Sequence, residues 1–180
     1  MGILPRLPAL RRVISGGQTG VDRAALDWAI DLGVAHGGWC PKARKAEDGP
    51  IPDRYHLTET DSVRYIPRTQ RNVMDSDATL ILNLGRPDGG TLSTAIICDR
   101  AGKPRLIVQL DVGNIDDEVA RVGAWLLAHT VGRLNVAGPR ETKRPGAYQA
   151  ARRFLTQLAG EQADRQRHKV TGGPTMADST

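Results

Sequence analysis

Along residues 12–33 the spacing of apolar positions changes. Val13 and Ile14 sit in a short apolar run that ends at Gly16 and Gly17, whereas Val21, Ala25, Trp28 and Leu32 recur at helical intervals before Gly33. That pattern predicts a strand over 12–15, a turn, and a helix from Val21 that Gly33 terminates. A second strand is expected near 35–40 ("AHGGWC"). Residues 41–63 follow, polar, with two Gly/Pro breaks and no clear period, and a loop of this length in a compact domain is commonly a binding loop or lid. Pro67 opens a predicted helix through about Met74. "ATLILNL" (78–84) is a continuous apolar run suited to a buried parallel strand, and it leads through "GRPDGGT" to a helix over 92–101 that ends at Gly102. "RLIVQL" (105–110) predicts the next strand. Residues 116–130 predict a helix with Val119, Val122, Trp125, Leu126 and His129 on or near one face, and "RLNVAG" (133–138) a last strand feeding a helix over 146–159. Five strands, each followed by a helix or a long crossover, predict an α/β fold: a mostly parallel sheet of five strands or slightly more, covered by helices on both faces.

Composition agrees with one domain. The 180 residues are 39% hydrophobic and 25% charged, enough for a single core over residues 12–160, with 1–11 read as an extension and 161–180 as a flexible polar tail. Aromatics are scarce at 4% and glycines number 20, which disfavours an aromatic-rich all-β core. The net charge of +5 is too mild to mark a nucleic-acid surface, and part of it is local: Arg140, Lys143, Arg144, Arg152 and Arg153 crowd residues 139–153 against Glu141 alone. That placement suggests an anion site. No apolar run approaches the roughly 18 residues of a spanning helix, and the first residues match neither a secretory nor a myristoylation signal. Cys40 and Cys98 form no C-x-x-C, so the expectation is reduced thiols in a cytoplasmic protein with no membrane partner.

The candidate chemistry lies in three glycine turns. In an open parallel α/β sheet, the loops leaving the carboxyl ends of the strands line one crevice. The turns contribute Gly16, Gly17, Gln18, Thr19, Gly20 and Asp22, then Gly89, Gly90, Thr91 and Thr94, then Gly138, Pro139, Arg140 and Glu141. Glycines let backbone N–H groups approach a ligand, and a following helix adds free N–H groups and partial positive charge, so phosphate or another oxyanion is the natural guest. Thr19, Thr91 and Thr94 add hydroxyls, while Gln18 and Asp22 suit a neutral polar edge such as a ribose or base. Each turn taken alone is also ordinary turn composition; three at equivalent places are the stronger signal. Arg68 and Arg71, at the start of a predicted helix, suit a phosphate or equally a solvated face. Lys42, Arg44 and Lys45 either close over the ligand or are simply exposed. Asp75 and Asp77 read as turn and cap residues. His56, Glu59 and Asp61 fit no metal spacing, His36 and His129 need only core or surface roles, and no metal site is expected. A P-loop and a G-x-G-x-x-G fingerprint are both absent, which weakens nucleoside triphosphatase and NAD-dehydrogenase readings.

"ISGGQTGVDRAALDWAIDLG", "HGGWCPKARKAEDGPIP", "RTQRNVMDSDATLIL", "GGT" and "LNVAGPRE" together resemble bacterial proteins labelled molybdenum carriers, a circularly permuted YpsA-like branch of the SLOG superfamily. The likeness spans about residues 12–158. It implies a Rossmann-like, doubly wound subunit that binds a phosphorylated small ligand, a nucleotide or the pterin phosphate of molybdenum cofactor, and self-associates as a dimer or tetramer. Hydrolase relatives carry P-G-G-x-G-T-x-x-E. Here Thr94 stands where that Glu would be, and a threonine hydroxyl cannot hold and release a proton near neutral pH. A carrier or sensor is therefore the expected function, with no catalytic residue assigned. The alternative is a phosphoribohydrolase-like enzyme using Glu141 or Asp22. A nucleic-acid-binding module has only charge in its favour.

Overall fold

A computed structural model describes residue 7 and residues 9–171, with side chains described through residue 160. The strands are β1 (Arg12–Ile14), β2 (Ala35–Gly37), β3 (Trp39–Cys40), β4 (Lys45–Ala46), β5 (Gly49–Pro50), β6 (Thr58–Glu59), β7 (Ala78–Asn83), β8 (Arg105–Gln109) and β9 (Arg133–Ala137). The helices are α1 (Val21–Leu32), α2 (Tyr65–Met74), α3 (Gly89–Arg100), α4 (Ile115–Ala128) and α5 (Ala147–Thr171). Five strands form one wholly parallel sheet in the order β2-β1-β9-β7-β8. The last strand thus lies in the middle. Placing the β9–α5 unit ahead of β1 and renumbering converts this order into 3-2-1-4-5, the doubly wound arrangement, with the reversal of strand order falling between β9 and β7.

Alternation sorts the side chains between two faces. Val13, Leu80, Leu82, Leu134 and Val136 join the main core with Val21, Ala25 and Trp28 of α1, Val119, Val122 and Leu126 of α4, and Phe154, Leu155 and Leu158 of α5. The opposite face carries α2 and α3, with Cys98 of α3 against Thr79 of β7. β7 is buried at all six positions, as its unbroken apolar run requires.

Five boundaries differ from expectation. The strand predicted over 35–40 breaks at Gly38, whose φ of 129° takes the chain out of the sheet; a side chain there would also fall 2.3 Å from the Ser15 carbonyl oxygen. β3 then pairs in parallel with β6, away from the main sheet. Residues 41–63 are a folded flap rather than open loop: β4 and β5 make a hairpin, and Ile51 and Tyr55 bury with Cys40 and Leu26 of α1 in a second small core. Helix α3 begins at Gly89, three residues early, because Asp88 adopts the extended N-cap conformation. Leu7 is buried in the main core, so this part of the predicted extension is packed; the rest of residues 1–8 lies outside the described residues. At the other end α5 continues past residue 159 to Thr171, and the remainder of the predicted tail, 172–180, lies outside the described residues.

One position controls how closely the central strand can exit. A methyl group on Gly138 would fall 2.2 Å from the Leu82 carbonyl oxygen of β7 and 2.6 Å from Cγ2 of Val21. Backbone and a buried β-branched side chain cannot retreat. Gly138→Ala is therefore expected to destabilise the chain by roughly 1–3 kcal/mol, whereas Gly160→Ala, with open space around it in α5, raises stability by about 0.5–1 kcal/mol. Urea unfolding with unchanged m-values checks both.

Candidate functional site

The exits of β1, β7 and β9 open into one cleft of about 470 Å³, at the reversal of strand order where open α/β sheets bind ligands. Of the residues singled out in the sequence, Gln18, Asp22, Arg68, Gly90, Thr91, Thr94, Gly138, Pro139 and Arg140 line it. Gly16, Gly17, Thr19, Gly20, Arg71, Gly89 and Glu141 do not.

The cleft floor is an ion pair. Asp22, 3% exposed, accepts hydrogen bonds from the Gln18 backbone N–H and from Arg68 Nη1, both at 3.3 Å. Burial pushes its carboxyl up; Arg68, the Gln18 N–H, Arg140 and the Ser15 hydroxyl pull it down, and it stays above the ordinary carboxylate range. Gly16 makes room for this pair, since a methyl group there would fall 1.8 Å from Arg68 Nη1 and 2.9 Å from Asp22 Oδ2. The Gln18 amide is oriented by donation from Nε2 to the Lys45 carbonyl at 2.8 Å. Two buried polar atoms of this floor, Gln18 Oε1 and Arg68 Nε, have no hydrogen-bond partner among the described residues.

Besides α2, whose first turn lines the cleft wall through Tyr65 and Ile66, the three helices that follow the glycine turns start at the cleft, and two of these three have their N-termini occupied by the protein itself. At α1, the Val21 N–H donates to the Pro139 carbonyl (3.3 Å) and the Arg23 N–H to the Gln18 carbonyl (3.2 Å). Gly20 permits this approach, because a side chain there would meet the Pro139 oxygen at 2.5 Å. At α5, the Glu141 carboxylate accepts from Gly146 N–H (2.6 Å) and Tyr148 N–H (2.9 Å), a cap that takes it away from acid/base work in the cleft. Helix α3 is different. The Asp88 side chain makes no cap hydrogen bond and instead pairs with Lys143 (2.8 Å) and Arg144 (3.3 Å). The backbone N–H groups of Gly89, Gly90 and Thr91 have no acceptor among the described residues; the first backbone hydrogen bond of the helix is Leu92 N–H to the Asp88 carbonyl. Lys143 lies against them, its Nζ 2.7 Å from where a Gly89 methyl would be. The Thr94 hydroxyl donates to the Gly90 carbonyl at 2.8 Å, and that of Thr91 has no partner among the described residues. Free amides, partial positive charge and a lysine thus converge at one point.

Several cleft residues were not singled out as ligand contacts in the sequence, Glu47, Tyr65, Asp88 and Thr142 among them, and Lys143 was read only as part of the basic cluster over 139–153. Asp88 and Lys143 had a signal, an Asp before a helix-starting Gly-Gly and a cation beside the third turn. Glu47 had none. It lies at the tip of the flap hairpin, where its carboxylate accepts from the Thr19 hydroxyl and from the Thr142 hydroxyl (2.5 Å) and N–H (3.3 Å). Next to it, Asp48 meets Arg23 of α1 with two bonds of 2.5 and 2.7 Å. Arg44 is structural, since its guanidinium donates to the carbonyls of Ile51, Pro52, Tyr55 and Leu57 and folds the flap around itself. Lys42 is exposed, and Lys45 Nζ lies 5.9 Å from the Tyr65 ring centre. Arg71 stacks on Trp39 at 4.3 Å, outside the cleft. Asp77 acts as expected of a turn residue, accepting from the Gly132 and Arg133 N–H groups. Glu59 accepts from the Ala43 N–H, and His36 and His56 stack with ring centres 4.8 Å apart. Cys40 and Cys98 are buried and unpaired, and burial pushes each thiol above its ordinary range.

The flap latch is acid-sensitive. For Glu47, burial acts upward, but hydrogen bonds from Thr142 and Thr19 outweigh it; Asp48 is held down first by its bonds from Arg23. Both carboxyls are lowered relative to the unfolded chain, so their stabilisation is complete above about pH 4–5 and lost as pH falls through the folded values. The melting temperature is expected to drop on acidification from pH 6 to pH 3.5, and to drop less in a Glu47→Gln/Asp48→Asn double variant. An equal drop in both proteins would contradict the latch.

Residues 13–159 match the model of the circularly permutated YpsA SLOG family. A crystal structure described as a "putative molybdenum carrier protein" from Syntrophus aciditrophicus SB superposes with a TM-score of 0.81 at 43% identity, covering 84% of this chain and 95% of that one. No curated protein matches the sequence. Among the described residues no helix is long and apolar enough to cross a membrane. With its last strand at the centre of the sheet and its family match running over most of its length, the chain belongs to the circularly permuted YpsA family of SLOG proteins.

Proposed function

We propose that residues 12–160 form one ligand-binding unit, a carrier or sensor whose cleft holds a phosphorylated small molecule with its phosphate at the N-terminus of α3. The observation that carries this reading is the trio of unengaged N–H groups at Gly89, Gly90 and Thr91, beside the Thr91 hydroxyl and Lys143. A phosphate there replaces Asp88 as the partner of Lys143 and meets the positive end of the helix dipole. Gln18 and Asp22, with the unpartnered Gln18 Oε1, face the organic part. A nucleotide or the pterin phosphate of molybdenum cofactor supplies both parts, and the name of the Syntrophus structure agrees with a molybdenum-bearing cargo. Exposed Ile66 and Met74 of α2 and Leu92 and Ile96 of the adjoining α3 offer apolar surface for the dimer or tetramer that belongs to the same reading, as does a cytoplasmic location.

A hydrolase has one observation in its favour, the raised carboxyl of Asp22 in the cleft floor. Its expected acid partner is engaged elsewhere, because Glu141 caps α5. Release of free base from nucleoside monophosphates, followed by chromatography, decides the matter; stoichiometric binding without release is the expected result.

Thermal shifts with nucleoside monophosphates, a pterin phosphate, inorganic phosphate and molybdate test the binding reading. A ligand present at about a hundredfold over its Kd stabilises the native state by about 2.7 kcal/mol. Gly90→Asp places a carboxylate in the cleft at a position with open space around it, so the fold is retained and phosphate-ester binding is abolished. Thr91→Val weakens it by roughly tenfold to a hundredfold, the loss of one charge-assisted hydrogen bond. Stabilisation by molybdate alone, unaffected by Gly90→Asp, overturns the reading.

A further inference from the structure

Tyr65 is the aromatic side chain that lines the cleft, and the Arg140 guanidinium lies over its ring, 4.1 Å from the centre. The other cations of the cleft wall are engaged: Arg68 pairs with Asp22 and Lys143 with Asp88. Among the described residues Arg140 has neither an ion-pair partner nor a side-chain hydrogen bond. It is a flat, fully charged group stacked on a ring, at the separation at which two flat rings stack, and it acts on the Asp22 and Glu47 carboxyls through space rather than through a hydrogen bond. The cleft is also much larger than a phosphate needs, and its remaining wall is mostly threonine, carboxylate and backbone.

We infer that Tyr65 and Arg140 form the ring-binding part of the site, and that the ligand carries a planar nitrogen heterocycle which stacks against this pair. A heterocycle shares a face with the guanidinium and the phenol ring, while the unsatisfied N–H edge of Arg140 remains directed at ring nitrogens or carbonyls in its plane. A bare oxyanion or a simple sugar phosphate uses the α3 end of the cleft and leaves this end empty. The inference rests on the phosphate reading above and adds a requirement to it: tight binding needs a ring as well as an anion.

Calorimetric titration separates the two. The probes are GMP and a pterin phosphate, each bearing ring and phosphate, against ribose 5-phosphate, which has only the latter. Wild-type protein is expected to bind at least one ring-bearing ester about tenfold or more tighter than ribose 5-phosphate. Tyr65→Leu should reduce that ratio to near one with ribose 5-phosphate affinity unchanged, and Tyr65→Phe, which keeps the ring, should preserve it. Circular dichroism melting confirms that each variant folds. A wild-type ratio near one, or Tyr65→Leu weakening all three probes equally, overturns the stacking assignment while leaving the phosphate site standing. Binding of none of the probes by the wild type removes the phosphate reading and this inference with it.

Discussion

A carboxylate that is almost fully buried needs a cation beside it, and the pairing of Asp22 with Arg68 sets the shape of the cleft. Removing two charges from water costs several kcal/mol each unless they satisfy one another. The consequences reach three segments. Position 16 must lack a side chain so that the guanidinium fits; α2, which carries Arg68, must lie over the first turn; and the first turn must fold back so that the Gln18 N–H reaches the same carboxylate. Tyr65 and Thr69, on the same helix as Arg68, enter the cleft wall as a result.

The permuted order of strands decides what surrounds that pair. β9 comes last in the chain but first in the doubly wound order, so its exit must squeeze between β1 and β7, and Gly138 is the residue that allows it. The third turn is thereby pressed onto the first, where the Pro139 carbonyl takes an α1 amide and the Glu141 N–H donates to the Thr19 hydroxyl at 3.2 Å. This closeness explains why the start of α1 is closed, whereas α5 is closed locally by Glu141 of its own loop. The glycines of the first and third turns serve chiefly to bring backbone and side chains together, and the second turn, on the far side of β9, keeps its amides free.

Much of this was legible in the sequence. The continuous apolar run of β7, the helical spacing from Val21 to Leu32, and the alternation of strands with helices were enough to predict a parallel α/β sheet, because burial of both sheet faces leaves a strong signal. The convergence of the three turns followed from the general geometry of such sheets. Less accessible was the flap, because it folds around Arg44 and a handful of buried residues rather than by any repeat, and hydrogen bonds from one guanidinium to four carbonyls have no spacing rule. For the same reason Glu47 was invisible: its partners, Thr19 and Thr142, are 28 and 95 positions away. Glu141 and Arg71 illustrate the opposite difficulty. Their residue types suited a ligand, but a helix cap and a tryptophan ring claimed them first.

The two cysteines give this architecture internal clocks. Cys40 is sealed in the small core beneath the flap and Cys98 lies between α3 and the sheet, each as an unreactive thiol. Alkylating reagents attack thiolates, so neither sulfur is modified until the layer covering it opens. The rate of labelling at Cys40 therefore reports undocking of residues 41–63, the rate at Cys98 reports loosening of the opposite layer, and a difference between them measures how independently the two layers breathe.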